Sequence, residues 1–430
     1  MEHLWWLLLG LLALLALGIP IYAALGVLGA AAIYIALPVP VPSILASQAW
    51  NQTNNFILTA IPLFVFMGEL LLHSGVTEEG YRALHRWLGR VPGGLAHANI
   101  AACSVFAAAC GSSSATTASV GSVSLPEMLK RGYDRSLSFG SIAAGGTLGI
   151  LIPPSICMIL FGALTGVSIG KLYMAGIVPG LALSSLFMLY IAFAAWRRPH
   201  VVPRSTEPFS LAAAIKASLG IIPVFLLIVA VLGSLYAGVA TPTEAAALGA
   251  SGALLVAAYR RRLTVKMVAQ SAIATVHVTS MLLLIVVAST TIHFVLIRLG
   301  VPSALVGMAE EQGLSANLVL LLVIAVVTLA GMLIDPISMM VMVLPTLAPL
   351  LTAMKIDLIW FGVVMVILVE AALLTPPMAL NIFVVRGLDP SASTWEVARG
   401  ALPFVAMMYV LIGVLFVFPA LALWLPARMF

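Results

Sequence analysis

The sequence predicts an all-α polytopic membrane protein built from two inverted repeats, each of about five transmembrane helices and one re-entrant helical hairpin. Three observations carry that prediction. First, 62% of the 430 residues are hydrophobic and only 8% are charged, which excludes a soluble domain and leaves room for about ten spans of ~20 residues. Second, Ile152-Pro153-Pro154 recurs as Thr375-Pro376-Pro377, and other stretches recur at nearly the same offset. Third, basic residues flank one polar-tipped apolar stretch, whereas acidic residues precede its counterpart.

From the start, Met1-Glu2-His3-Leu4-Trp5-Trp6 carries no Lys or Arg before the first apolar run. A retained helix is therefore expected there rather than a cleaved signal peptide. Spans are expected at 4–18, 20–36, 56–73, 138–165, 176–196, 211–236, 243–259, 272–297, 358–385 and 402–425. Two further apolar stretches, about 95–126 and 316–350, are broken in the middle by polar or helix-breaking residues. The hydrophilic segment from Arg197 to Pro208 divides the chain nearly in half. The first repeat is thus placed at 1–200, with its hairpin at about 95–126 and a broken helix at about 138–165. The second is placed at 201–430, with a hairpin at about 316–350 and a broken helix at about 358–385.

Three matches in register support the repeat. Besides the two Pro-Pro breaks, Pro20–Gly26 answers Pro242–Gly249, and Gly111–Thr117 answers Gly331–Ser338. Charge then orients the halves. The net charge is +5, but the basic residues cluster, so they report topology rather than a nucleic-acid surface. Arg197, Arg198 and Arg204 mark one cytoplasmic segment, and Arg260, Arg261, Arg262 and Lys266 mark another. Arg82, Arg86, Arg90, Lys130, Arg131 and Arg135 flank the first hairpin, which should enter from the cytoplasm. Glu310 and Glu311 stand before the second, and uncharged Leu37-Pro38-Val39-Pro40 answers the Arg260 cluster. Both termini then lie outside. Inverted repeats with broken helices are the architecture of secondary transporters.

The polar stretch Gly111-Ser112-Ser113-Ser114-Ala115-Thr116-Thr117 has five hydroxylated residues among seven small ones. A packing seam explains small residues, yet this density exceeds what one helix face needs. Non-helical backbone at membrane depth is tolerated only where it is buried in protein or lines a cavity. The stretch therefore reads as a hairpin tip that holds an ion or small anion. Gly145 to Pro154 interrupts a span, and its prolines free backbone carbonyls. A plain kink is the rival reading. Because the same break recurs at Leu373-Leu374-Thr375-Pro376-Pro377, with Asn381 following, an ion site opposite each tip is expected.

Asp335 and Glu370 are acids in apolar surroundings, costing about 2.5–3.5 kcal/mol each at the bilayer centre on insertion scales. For Asp335 a cap role competes with ion coupling. Glu69 and His73 are expected to make a local hydrogen bond, and Thr241/Glu244, Ser124/Glu127 and Ser393/Glu396 to form capping boxes. His277 and His293 read as buried structural histidines, and Cys103, Cys110 and Cys157 as buried thiols. No phosphate loop, nucleophile elbow or zinc motif is present in the sequence. That argues against an ATP-driven pump and against an enzyme.

Taken together, Ile61–Phe64 with Gly68-Glu69-Leu70, Pro92–His97, Gly111–Ser119, Pro126–Met128 with Arg131–Asp134, Ile152–Ser155, Ala240–Ala245, Ile334–Ser338 and Thr375–Pro377 with Asn381 form an ordered set across nearly the whole chain. In that order they resemble the large membrane (M, DctM-like) subunit of tripartite ATP-independent periplasmic (TRAP) transporters. The resemblance implies an elevator-type, Na⁺-driven importer of a small organic anion in the bacterial inner membrane, without a cofactor. It implies two partners, a periplasmic solute-binding protein and a small four-helix membrane subunit. The latter is expected as a separate chain. A stand-alone Na⁺/carboxylate symporter of a related class is the alternative. The triple serine departs from the Gly-Ser-Gly or Gly-Ser-Ala wording common at this tip, which leaves the substrate open.

Under this resemblance one Na⁺ is expected at Ser112, Ser113, Gly146, Ile150 and Pro153. A second is expected at Gly331, Asp335, Leu373, Thr375 and Pro376. Ser114, Thr116, Thr117 and Asn381 are the expected substrate contacts.

Overall fold

The computed structural model describes residues 2–198, 202, 203 and 210–429. Every regular element among them is helical. Arg204 and the expected repeat boundary at 200/201 lie outside the described residues.

Long apolar runs became helices where expected. Phe56–His73, Ile169–Arg197, Val265–Arg298, Ala316–Leu333 and Thr394–Val417 are each long and apolar enough to cross a membrane. Arg135–Leu151 with Ile156–Thr165 forms a pair bent by 41°, and Leu211–Ser218 with Ile222–Tyr236 a pair bent by 51°. Other expected spans are shorter, such as Ile21–Ala36 and Leu358–Leu374 at 16 and 17 residues. The two hairpins are Gly94–Cys110 with Ser113–Lys130, and Ala316–Leu333 with Pro336–Ala353. The first arm of the second hairpin is by itself of span length, so length alone does not distinguish a hairpin arm from a span.

Three helices fall in stretches read from sequence as connections: Val41–Thr53, Val76–Leu88 and Val301–Glu311. Val76–Leu88 shows why. It buries Val76, Gly80, Tyr81 and Ala83 while carrying Glu78, Arg82 and Arg86 on its other side. Such a half-polar helix has no span-length apolar run to announce it. Each of the two short helices Val76–Leu88 and Val301–Glu311 directly precedes a hairpin.

The core is built on the first halves of the two broken spans. Every residue from Trp360 to Leu374 is buried, as is every residue from Leu137 to Leu151. The former helix is apolar on all sides and so belongs in an interior. The latter is rich in Gly, Ala and Ser, which lets its neighbours approach to backbone distance. A Cβ on Gly140 would lie 2.0 Å from the Gly400 carbonyl oxygen, and one on Gly400 2.1 Å from that of Ser136.

Packing separates two groups of helices. Ile21–Ala36, Ala60–His73, Pro242–Tyr259 and Val265–Arg298 pack chiefly on one another. Both hairpins and both broken spans form the other group, which also includes Ile169–Arg197 and Thr394–Val417. Arg260, which follows Pro242–Tyr259, ties the end of that helix to its neighbours: its guanidinium pairs with Glu79 of Val76–Leu88 and donates to the Gly220 carbonyl.

Local expectations divide. Thr241 and Glu244 form a full capping box, and the Ser393 hydroxyl accepts from the Glu396 amide. The His73 ring bonds to the Glu69 carbonyl at 2.8 Å. The three cysteines are buried and free. Ser124 and Glu127, however, make no cap. Both lie inside Ser113–Lys130, where Ser124 donates to the Asn99 side chain at 3.1 Å and Glu127 pairs with Arg131 at 2.7 Å. His277 is exposed rather than buried, because it lies on the outward face of a 34-residue helix.

Candidate functional site

The first hairpin turns at Gly111, whose φ of 61° is a left-handed conformation that glycine adopts without strain. A Cβ there would also meet the Pro154 carbonyl oxygen at 2.9 Å. The tip thus sits directly against the first Pro-Pro break. That break is closed: residues 151–156 are all buried, the Ser155 hydroxyl donates to the Ile150 carbonyl, and the Tyr173 hydroxyl donates to Ser155 O at 3.4 Å. The Pro153–Pro154 and Pro376–Pro377 bonds are both cis.

The arm Ser113–Lys130 lies tightly on the broken span. A Cβ on Gly146 would fall 1.8 Å from Thr117 Oγ1, and one on Gly149 2.8 Å from the Ser112 carbonyl oxygen. Gly146 therefore acts through what it lacks. Thr116 and Thr117 are fully buried and donate back to the carbonyls of Ser112 and Ser113, at 2.8 and 2.9 Å. Ser112 and Ser114 remain half-buried, their hydroxyls 3.4 Å apart.

Asn381 joins the two halves. Its side-chain amide nitrogen donates to Ser113 Oγ at 2.7 Å and to the Ala143 carbonyl at 3.0 Å. The residue is fully buried, and its Oδ1 has no hydrogen-bond partner among the described residues. Residues expected to serve ion and substrate separately are thus brought into one polar cluster spanning the first tip, the first broken span and the second.

At the second tip Asp335 caps the arm that follows, accepting from the Ser338 amide and hydroxyl, each at 2.9 Å. A Cβ on Gly331 would touch Ala372 Cβ at 2.8 Å, so this tip abuts the end of Leu358–Leu374. Leu373 is buried, and the Thr375 hydroxyl donates to the Ala371 carbonyl at 2.7 Å. Pro376, Pro377 and Met378 are exposed. The second break is therefore open where the first is sealed. Glu370 is fully buried, and neither carboxylate oxygen has a hydrogen-bond partner among the described residues.

Sequence reading missed the buried Asn99–Ser124 pair inside the first hairpin. An amide within an apolar run was its available signal. It also missed the clasp at the hairpin base, where Arg135 reaches Glu396 at 3.0 Å and Asp389 at 3.3 Å. Those partners lie more than 250 positions away in the chain and leave no local pattern.

Chemically the cluster offers hydroxyl, amide and backbone carbonyl oxygens, and the hydrogen bonds of Thr116, Thr117 and Asn381 described above involve no basic side chain. Such a donor set suits a hard cation better than a bare anion.

Residues 8–421 match the family described as the tripartite ATP-independent periplasmic transporter, DctM component. The chain is 35% identical over 408 residues to the C4-dicarboxylate TRAP transporter large permease protein of Pseudomonas aeruginosa, covering 94% of this chain and 93% of that one. It is 32% identical over 437 residues to the protein so named in Rhodobacter capsulatus, covering 97% of each. The 2,3-diketo-L-gulonate TRAP transporter large permease of Escherichia coli is 31% identical over 409 residues, 95% of each chain. The fold is similar to the crystal structure of the Alcanivorax borkumensis YdaH transporter, at a TM-score of 0.60 and 14% identity, covering 89% of this chain and 87% of that one. A match of this length makes the chain a transport protein and a member of the TRAP transporter large permease family.

Proposed function

We propose that the protein is the permease of a Na⁺-coupled importer that takes up a small carboxylate-bearing anion across a bacterial inner membrane. A periplasmic substrate-binding protein delivers the anion, and a small four-helix membrane subunit accompanies the permease. The names of the relatives, permeases for C4-dicarboxylates and for 2,3-diketo-L-gulonate, support an organic acid as cargo. The observation that carries the ion-coupling reading is the Ser113–Asn381–Ala143 cluster.

In this mechanism Na⁺ is held by Ser112, Ser113 and carbonyls near the first break, and by the Gly331–Asp335 tip with Leu373, Thr375 and Pro376 near the second. Cargo enters at the open second break, against Ser114 and the polar cluster. The two element series support inverted repeats: each runs from an apolar helix through an arm helix, a hairpin and a broken span to a long helix. The hairpins and broken spans would move together as an elevator, carrying Ile169–Arg197 and Thr394–Val417 with them. The helices around Val265–Arg298 would stay as the scaffold.

The test uses proteoliposomes containing the permease and its small subunit, with binding protein outside. Ser112→Ala combined with Ser113→Ala should abolish Na⁺-dependent uptake while the protein stays folded, because lost buried ligands are not replaced by water without cost. Unchanged Na⁺ dependence would remove the first tip from the coupling site. Full activity without the binding protein would favour a stand-alone symporter.

A further inference from the structure

An apolar cleft runs along the second hairpin. Its inner part, about 320 Å³, is lined by Leu11, Leu28 and Ile292 on one side and Ala330, Ile334 and Val343 on the other. It lies between the hairpin tip and helices of the other packing group, on one of which, Val265–Arg298, the arm Pro336–Ala353 also packs directly. An outer part, about 210 Å³, lies between the hairpin base and the arm helix Val301–Glu311, and the two parts share Val326 and Leu347. From Val319 to Leu333 the cleft follows about 21 Å of helix at ~1.5 Å per residue. That is the reach of one extended acyl chain and over half of a ~30 Å hydrocarbon core.

The mouth opens beside Leu322, Leu329 and Leu333, which are exposed on a surface that lipid covers. At its outer end Met308, Ala309 and Gln312 line the cleft, and the adjoining Glu310 and Glu311 are exposed. No Lys or Arg occurs between residues 301 and 333, while Lys355 and Asp357, one charge of each sign, follow the second arm at the hairpin base. Arg298, the last residue of Val265–Arg298 and so beyond the far end of the arm helix, stacks on Phe294 at 5.3 Å.

We propose that this cleft holds an acyl chain of a membrane phospholipid whose headgroup carries an ammonium, as in phosphatidylethanolamine. The apolar lining takes the chain. The two carboxylates attract the ammonium and repel an anionic headgroup. A chain in this position fills space that bare helices would leave as a costly void, and lets the tip Gly331–Asp335 shift against fluid rather than against packed side chains. The leaflet concerned follows from the inverted topology proposed above, whereas the site itself does not depend on it.

The test places the purified permease in nanodiscs of phosphatidylethanolamine and phosphatidylglycerol. A trace of either lipid carries a photoactivatable diazirine at the acyl end, and adducts are mapped on peptides. The ethanolamine probe should label the segment around Ile334 and Met342 about fivefold more than the glycerol probe, equivalent to ~1 kcal/mol. Ala330→Trp should fill the cleft and remove that labelling, while labelling at the exposed Leu189 and Phe193 persists. Val326→Phe serves the same purpose if the tryptophan variant fails to insert. Glu310→Gln with Glu311→Gln should make the two probes equal. Equal labelling in the wild type, or labelling that survives a filled cleft, overturns the proposal. Labelling needs no transport, so the result is independent of whether Na⁺ drives uptake.

Discussion

Asn381 donates across the molecule to the Ser113 hydroxyl and the Ala143 carbonyl, with no exposed surface of its own. Leaving a buried polar group without its partner costs about 1–3 kcal/mol. Asn381→Ala should therefore lower the melting temperature of the purified protein and reduce uptake at least roughly tenfold, the equivalent of ~1.4 kcal/mol. A melting temperature equal to that of the wild type would mean the cluster is held by something else. The same cluster shows why Gly146 matters without offering a ligand atom of its side chain: Thr117 occupies the place a methyl group would take.

Between elements, the helices Arg135–Leu151 and Thr394–Val417 cross at Gly140 and Gly400, where either Cβ would fall inside the other backbone. Overpacking of this kind costs about 1–3 kcal/mol. Gly400→Ala should destabilise the protein, whereas Gly413→Ala in the same helix, with open space around it, should not. Equal melting curves for the two variants would refute the close crossing. At the mouth of the crossing, the Ser391 hydroxyl and the Arg135 guanidinium hold the Asp389 carboxyl below the usual carboxylate range. Its folded value is depressed, so the clasp contributes fully above the ordinary aspartate value of ~4 and is lost as pH falls through the folded value. Melting temperature should fall as pH drops below about 4, and Asp389→Asn should flatten that part of the curve. A variant whose acid profile matches the wild type would show that Asp389 is not involved.

For the whole molecule, the inverted arrangement proposed above predicts that cysteines at Arg198 and Arg261 label only from the cytoplasm, and one at Pro40 only from the periplasm. Labelling of Pro40 and Arg261 from one side would sink the inversion. Energetics gives a second prediction. Each net positive charge moved inward gains about 2.3 kcal/mol per 100 mV. With two Na⁺ per cycle a monoanion carries one net charge and a dianion none. Monocarboxylate uptake should accelerate when a K⁺/valinomycin gradient makes vesicles negative inside, and should rise sigmoidally with Na⁺. Hyperbolic Na⁺ dependence with no response to potential would count against two coupled ions.

Sequence alone determined the class of this protein. Hydropathy, the Pro-Pro breaks and the polar tip are local in the chain, and each has a direct physical reading in lipid. The polar tip and both Pro-Pro breaks fall at helix ends. What only the tertiary structure decided is which of these groups meet. The bond from Asn381 to Ser113 joins positions 268 residues apart, and the contact of Gly111 with Pro154 depends on how a hairpin seats in a groove. The half-polar arm helices stayed hidden because hydropathy averages over both faces, whereas packing selects one. The sealed first break and the open second carry the same dipeptide. Their difference comes from what lies over each, which the shared dipeptide does not encode.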